Sequence, residues 1–205
     1  MGRSVAALPQ SNMITPHGYK LLKQHLKPGM FVVQLGDQLA DWNTAVSHRR
    51  ADQIIAAEFG VKVKDVDING SERTLNFNLN NNVPILADEV NAFVDIVTDF
   101  GTIEHTDDIY AAMYNVFSCV TGGGISIHAN PDHTYERHGN FYFTPQFWNK
   151  FCELTDSELL LVESVPVYQP DNPHHELYAV VRHGEQFPDL ETWDKEMKPY
   201  YSRWN

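Results

Sequence analysis

The side chains with the most evident chemistry lie in two short stretches. Glu104 and His105 follow the apolar run Phe93–Val97, while His128 and His138 follow a second apolar run. Imidazole and carboxylate groups exchange protons when their pKa values lie near the working pH, and both also serve as ligands. Glu104 and His105 are therefore candidates for acid–base or ligand roles.

Both stretches also have structural interpretations. Thr106 is a typical helix N-cap, with Asp107 and Asp108 in the first helical turn, where the helix dipole favours acids. The second stretch carries His128, His133 and His138, but their spacing matches neither a HExxH helix nor a Cys/His zinc module. We therefore predict a substrate-facing loop there and no metal site.

These stretches are positioned by strands that alternate with helices. Strand patterns cover Met30–Leu35, Val61–Ile68, Ala92–Thr98, Gly124–His128, Glu158–Tyr168 and Leu177–His183, and helix patterns cover Thr15–Leu26, Leu39–Phe59 and Asp107–Val120. Alternation of this kind predicts a three-layer α/β fold with a mostly parallel sheet. The last two strands are joined by a short turn, Gln169–Pro173, so they should pair antiparallel and make the C-terminal strand antiparallel.

We predict a single domain over residues 1–205, because the chain length is ordinary for one hydrophobic core. It comprises a helical segment at residues 1–29, the core sheet and its helices at residues 30–183, and an extension at residues 184–205. The extension contains Trp193 and should form a helix packed on the sheet. The aromatic residues from Phe141 to Phe151 should likewise pack on the sheet.

In open parallel sheets, ligands bind beyond the carboxyl ends of the strands. Gly36 stands at the first such end, where it permits a tight turn. Asp67 stands at the second, where an acid can hold ribose hydroxyls or, alternatively, form an Asx turn ahead of Asn69. The GxGxxG dinucleotide fingerprint is missing after Gly36, so we do not predict NAD.

Five segments, in this order and spacing, carry a family resemblance. They are FVVQLGDQ from Phe31, DVDING from Asp65, FVDIVTDFGTIEHT from Phe93, GGGISIHANP from Gly122 and HGNFYFTPQFW from His138. Over about Met30 to Val181 the chain resembles class I S-adenosylmethionine-dependent methyltransferases, specifically a small branch with LGDQ-like and FGTxEH-like motifs. The resemblance implies a Rossmann-like methyltransferase fold with S-adenosylmethionine as cofactor.

The resemblance also implies a role for each matching residue. Gly36, Asp37 and Gln38 would adjoin the methionine part of the cofactor, Asp67 and Ile68 its nucleoside, and Phe100 and Gly101 its sulfonium. Asn78 stands where the family usually has an acid that contacts the adenine amine; its amide carbonyl can accept that hydrogen bond without charge assistance. Magnesium-dependent relatives carry ExxEH, and Gly101 replaces the first Glu, so the resemblance predicts no metal.

The predicted reaction is methyl transfer to a small-molecule or sugar acceptor. His105 is the candidate general base, with His128 and His138 as rivals and Glu104 on the substrate side. One alternative is a non-catalytic binding or interaction module, which the reduced glycine motif would permit. Another is aminopropyl transfer from the same class of cofactor.

Composition bears on the partners of this chain. With a formal net charge of −12, it would repel a phosphate backbone, so nucleic acid is disfavoured. No apolar run approaches the roughly 20 residues of a membrane helix, and the chain has only two cysteines, Cys119 and Cys152. We expect a cytoplasmic protein with a small-molecule substrate. The sequence predicts no particular oligomeric state.

Overall fold

The computed structural model describes residues 13–47, 49–81, 86–90, 93–136, 138–167 and 173–204. Its strands are β1 (Met13–Ile14), β2 (Phe31–Leu35), β3 (Leu39–Ala40), β4 (Arg49–Arg50), β5 (Lys62–Asp67), β6 (Leu75–Asn76), β7 (Val94–Phe100), β8 (Val120–Pro131), β9 (Phe141–Phe143), β10 (Glu158–Val167), β11 (His174–Arg182) and β12 (Tyr201–Arg203). Its α-helices are α1 (Pro16–His25), α2 (Ala51–Phe59), α3 (Leu86–Glu89), α4 (Ile109–Cys119), α5 (Pro145–Thr155) and α6 (Leu190–Glu196), and Ile103–His105 and Lys198–Tyr200 form short 3₁₀ turns.

Several predicted positions lie outside the described residues. They are the N-terminal residues up to Asn12, Ala92, Tyr168 with the turn residues Gln169–Asn172, and Asn205.

A seven-stranded sheet forms the centre of the molecule, in the order β10-β11-β8-β7-β2-β5-β6. Strand β2 is parallel to β5 and β7, and β7 is parallel to β8. Strand β11 lies between β8 and β10 and is antiparallel to both. The predicted α/β fold and the antiparallel C-terminal strand are thus confirmed, and the carboxyl ends of β2, β5 and β7 meet at one edge of the sheet.

Helices cover both faces of this sheet, because successive strand residues point to opposite sides. Val33 and Val97 contribute to one buried cluster, and their neighbours Val32 and Ile96 contribute to the other. The first cluster includes Met113 and Val116 of α4, Phe147 and Trp148 of α5, and Trp193 of α6. The second includes Leu21 and Leu22 of α1 and Ile55 of α2. This arrangement gives the three predicted layers, with α5 and α6 packed on the sheet.

The helix predicted over Leu39–Phe59 is wrong in its first half. Residues 39–40 pair as strand β3 with β1 and β4, and among the described residues of this segment the helix covers 51–59. Turns separate β3 from β4, and Asn43 Oδ1 accepts the Ala45 N–H at 2.9 Å in an Asx-type turn. Strand pairing and turn chemistry therefore outweigh the apolar periodicity of this segment.

The predicted N-cap of the next helix is also wrong. Helix α4 is capped by Asp108, whose Oδ1 accepts the Ala111 N–H, while Thr106 Oγ1 donates to the Ile103 carbonyl. Residues 103–105 form a 3₁₀ turn ahead of the helix, which moves its start two residues along the chain. In the described part of the chain, no helix is both long and apolar enough to cross a membrane.

Candidate functional site

Two left-handed glycines turn the chain sharply where β2 and β7 end. Gly36 has a φ of 83° and Gly101 a φ of 82°, a conformation that residues with a Cβ rarely adopt. The Gly36 N–H donates to the Val66 carbonyl at 2.7 Å, and the Gly101 N–H donates to the Ala129 carbonyl at 2.9 Å. Each turn is therefore anchored to the neighbouring strand, and both face the same edge of the sheet.

Gln38 holds these two strand ends together. Its Nε2 donates to the Leu35 carbonyl at 2.9 Å and to the Phe100 carbonyl at 3.0 Å. The side chain is completely buried. Gln38 was predicted as a cofactor contact; the structure shows it bridging the ends of β2 and β7 beneath the surface.

Asp67 forms the Asx turn, which was one of the two interpretations offered for it, and makes a second main-chain hydrogen bond. One carboxylate oxygen accepts the Asn69 N–H at 2.6 Å, which is the Asx turn, and the other accepts the Asp37 N–H at 3.1 Å. The second bond joins the Asp67 loop to the turn after Gly36. Ile68, the next residue, is 50% exposed. A carboxylate fixed by main-chain donors thus lies beside an exposed apolar side chain.

Phe100 and Asn78 have other partners than the sequence suggested. The Phe100 ring is buried with α1, and a methyl group added at Gly18 would lie 2.8 Å from its Cε1. At the end of β7, the main-chain carbonyl of Phe100 accepts the hydrogen bond from Gln38. Asn78 is exposed, and its Oδ1 accepts hydrogen bonds from the Asn80 N–H and Nδ2 at 3.0 Å each. The oxygen predicted to meet an adenine amine is therefore occupied by Asn80.

Arg50, which the sequence reasoning missed, organises the acids beside the Gly36 turn. Its guanidinium lies 2.8 Å from Asp37, 3.0 Å from Asp52 and 2.6 Å from Asp65. Burial raises the pKa of the Asp65 carboxyl to about 7, with Asp52 adding to the rise and Arg50 opposing it. Arg50 stands in a predicted helix rather than at a strand end, so no local signal marked it.

Glu104 is the centre of the second half of the site, and its side chain has no exposed surface. Its Oε2 accepts a hydrogen bond from Asn130 Nδ2 at 3.2 Å, and the same Nδ2 donates to Asp99 Oδ2 at 2.9 Å. His128 Nδ1 lies 3.0 Å from that Asp99 oxygen. A buried polar chain thus runs from His128 through Asp99 and Asn130 to Glu104.

His105 and His138 lie on the other side of Glu104. Their Nε2 atoms are 3.7 Å and 3.4 Å from Glu104 Oε1, and their rings meet edge to face with centroids 5.1 Å apart. The His105 side chain is 38% exposed and that of His138 is 15% exposed. Gly139 has a φ of 70° and lets this loop lie against Glu104, whose carbonyl accepts the Asn140 N–H at 2.7 Å.

Burial dominates the electrostatics of this cluster. It raises the pKa of Glu104 well above the usual range; Asp99 adds to the rise and His105 opposes it. Burial lowers the pKa of His138, with Glu176 opposing. In each case the low-dielectric surroundings disfavour the charged form.

Three of the four predicted catalytic residues therefore meet, namely Glu104, His105 and His138. His128 is fully buried behind Asp99, and its ring packs on Trp148 with centroids 4.4 Å apart. His105 is exposed and His138 is partly buried, so both are more accessible than His128. Asn130 and Gly139 were missed as site residues, although the turn-rich segments around them were the available signal.

Known proteins resemble this chain in fold. No family model matches the chain, and no curated protein matches it. Three similar solved structures are 1,6-didemethyltoxoflavin-N1-methyltransferase of Burkholderia thailandensis, with bound 1,6-didemethyltoxoflavin and S-adenosylhomocysteine; a putative methyltransferase in complex with the Haloferax volcanii Trm112 methyltransferase activator; and a putative hemolysin from Streptococcus thermophilus.

All three similarities are distant in sequence. The Burkholderia enzyme has 14% identity over 77% of this chain and 72% of its own, with a TM-score of 0.54. The Trm112-bound protein has 12% identity over 83% and 90%, with a TM-score of 0.56. The putative hemolysin has 11% identity over 96% and 74%, with a TM-score of 0.55.

This is a methyltransferase fold. The seven strands and their antiparallel C-terminal pair match the Rossmann-like architecture of these neighbours. The branch suggested by the LGDQ and FGTxEH motifs has no support beyond the sequence resemblance.

Proposed function

We propose that this chain transfers a methyl group from S-adenosylmethionine to a small-molecule acceptor. The observation that carries this proposal is the shared sheet edge, where the Asp67 loop and the Glu104–His105–His138 cluster flank the two glycine turns. A methyltransferase fold supports the general activity, and the Burkholderia neighbour is a methyltransferase with S-adenosylhomocysteine bound.

The residues around Asp67 have chemistry that fits the nucleoside of this cofactor. An ionised carboxylate is an acceptor of hydrogen bonds, as ribose hydroxyls require, and the main-chain donors of Asp37 and Asn69 hold it in place. The exposed Ile68 offers an apolar surface for a planar base. Asn78 is left out of this proposal because Asn80 engages its carbonyl oxygen.

In this mechanism, bound S-adenosylmethionine supplies the electrophilic methyl group. The protein positions the acceptor beside the Gly101 turn, and orientation of this kind contributes about 7–11 kcal/mol to lowering a bimolecular barrier. Among the three clustered groups His105 is the most exposed, so we assign it the contact with the acceptor. The imidazole of His105 accepts the proton that the acceptor loses on methylation, provided that nothing else is bound to the cluster.

The first prediction tests the nucleoside site. Saturating S-adenosylhomocysteine, at 100-fold over Kd, stabilises a protein by about 2.7 kcal/mol, which raises Tm by about 5–11 °C for a chain of this length. Asp67→Ala should abolish most of this shift, because it removes hydrogen bonds to a charged acceptor worth about 1.5–3 kcal/mol each. The measurement is thermal unfolding with and without the ligand.

Glu72→Ala is the matched control. It removes an exposed acid from the same loop and so changes the charge equally, and the ligand-induced shift should persist. A folded wild-type protein that shows no shift would contradict methyl transfer and support a non-catalytic module. An undiminished shift in Asp67→Ala would remove Asp67 from the site.

A further inference from the structure

Glu104, His105 and His138 bring three ligand atoms within 4.8 Å of one another. We propose that these three side chains bind a divalent cation of the first transition series. The site stands on its own geometry, whereas its role toward the acceptor rests on the proposed function. It also revises the sequence prediction, which assigned no metal to these residues.

The distances suit a shared cation. Zinc-type ions bind imidazole nitrogen and carboxylate oxygen at about 2.0–2.2 Å, which places neighbouring ligand atoms about 2.8–3.6 Å apart. Glu104 Oε1 lies 3.4 Å from His138 Nε2 and 3.7 Å from His105 Nε2. The three ligand atoms lie within 4.8 Å of one another, so the two histidine nitrogens would have to approach each other for all three atoms to reach bonding distance of one ion.

Glu104 is a buried carboxyl group that is only partly compensated. Its Oε1 is buried and accepts no hydrogen bond from the described residues. The bonds of Asn130 tie it to a second buried acid, Asp99, and within the described ranges no lysine or arginine pairs with either carboxylate. A buried carboxylate oxygen without a hydrogen bond is costly, and a cation at Oε1 would offset that cost.

The residues behind the three ligands already hold them in position. Asn130 fixes the second oxygen of Glu104, and the His138 ring stacks on Tyr135 with centroids 4.1 Å apart. Such outer contacts are a usual feature of metal sites, because they orient the ligands. Gly101 leaves room at the open side, since a Cβ there would lie 3.4 Å from Glu104 Oε1.

The ligand set indicates the class of cation. Two imidazoles with one carboxylate are typical of Zn²⁺ and Fe²⁺ sites, whereas Mg²⁺ and Ca²⁺ prefer oxygen ligands throughout. Three protein ligands leave coordination positions open for an oxygen of the acceptor. With a cation bound, His105 would be a ligand rather than the general base. The cation would then supply Lewis-acid chemistry that favours loss of an acceptor hydroxyl proton to water.

The test is a titration of tag-free, chelator-stripped protein with Co²⁺, followed by visible absorption and then by competition with Zn²⁺. Wild-type protein should bind one equivalent. His105→Ala and His138→Ala should each weaken Co²⁺ binding at least tenfold, and Asn130→Ala should weaken it about 10–100-fold. His105 is the primary variant because its exposure makes a folding defect least expected, and unfolding curves without metal verify each variant.

His133→Ala is the matched control, since His133 is an exposed histidine of the same loop. Its Co²⁺ affinity should equal that of the wild type. Absence of Co²⁺ binding, or binding that His105→Ala and His138→Ala leave unchanged, would overturn the proposal. The S-adenosylhomocysteine shift, measured on the same metal-free samples, separates the two proposals, because either can fail while the other stands.

Discussion

Gly139 determines how closely the His138 loop approaches Glu104. A methyl group added there would lie 2.7 Å from Glu104 Cγ and 2.9 Å from the Glu104 carbonyl oxygen, at a φ of 70°. We predict that Gly139→Ala destabilises the fold by about 2–4 kcal/mol, since overpacking adds to the cost of left-handed backbone. Urea unfolding measures this change.

Gly123→Ala separates the cost of overpacking from the cost of the left-handed backbone. Gly123 has a similar φ of 78°, but an added methyl group would meet nothing within 4 Å. Gly123→Ala should therefore destabilise the fold only through the left-handed backbone conformation, by about 1–2 kcal/mol. Equal losses in the two variants would show that the close approach at Glu104 carries no energetic weight.

At the residue scale, strand-end patterns predicted Glu104, His105 and His138 as chemically active, because polar residues directly after apolar runs mark the carboxyl ends of strands. The burial of Glu104 and the bridge through Asn130 could not be predicted. They depend on the register of β7 and β8, which places Asp99 opposite His128. No local pattern encodes that register.

Helix α1 packs tightly against the sheet through a glycine. Gly18→Ala should raise helix propensity by up to about 1 kcal/mol, yet the new methyl group would lie 2.8 Å from the buried Phe100 ring. We predict a net loss of about 1–2 kcal/mol, because Phe100 is only 4% exposed and has little space to move. Thermal unfolding should show a Tm lower by about 2–8 °C.

Lys20→Ala tests the same helix on an exposed position. Its stability should stay within about 0.5 kcal/mol of the wild type, as is usual for surface changes. A Gly18→Ala protein as stable as Lys20→Ala would mean that α1 adjusts its packing freely.

At the element scale, the sequence predicted the central strands and the antiparallel pairing of β10 with β11. It did not predict that β11 lies between β8 and β10, because strand order follows from the hydrogen-bonding partners that the folded sheet makes available. The helix predicted for the segment from Leu39 to Arg50 was wrong for a related reason, since the short strands of this segment pair with β1 and with each other.

The stability of the whole molecule should fall in acid partly through His183. This side chain is buried, its Nε2 lies 2.8 Å from Ser126 Oγ, and burial, with a smaller effect of His128, lowers its pKa to about 3. The unfolded chain binds a proton near pH 6.5 and the folded chain does not, so stability is retained above pH 6.5 and lost as pH falls toward 3. The slope is at most about 1.4 kcal/mol per pH unit.

His183→Gln removes this proton uptake, so urea unfolding between pH 7.5 and pH 4 should give a shallower decline than in the wild type. His133→Gln, at an exposed position, should keep the wild-type slope. Parallel curves for the wild type and His183→Gln would show that His183 titrates equally in the folded and unfolded chains.

Helices α4 and α5 each carry one unpaired, buried cysteine, Cys119 and Cys152. Burial raises the pKa of both thiols to about 12, so reactive thiolate is scarce in the folded protein. Alkylating reagents would reach these sulfurs mainly when the two helices separate from the sheet. The rate of labelling therefore measures how often the core opens spontaneously, and each cysteine reports on its own helix.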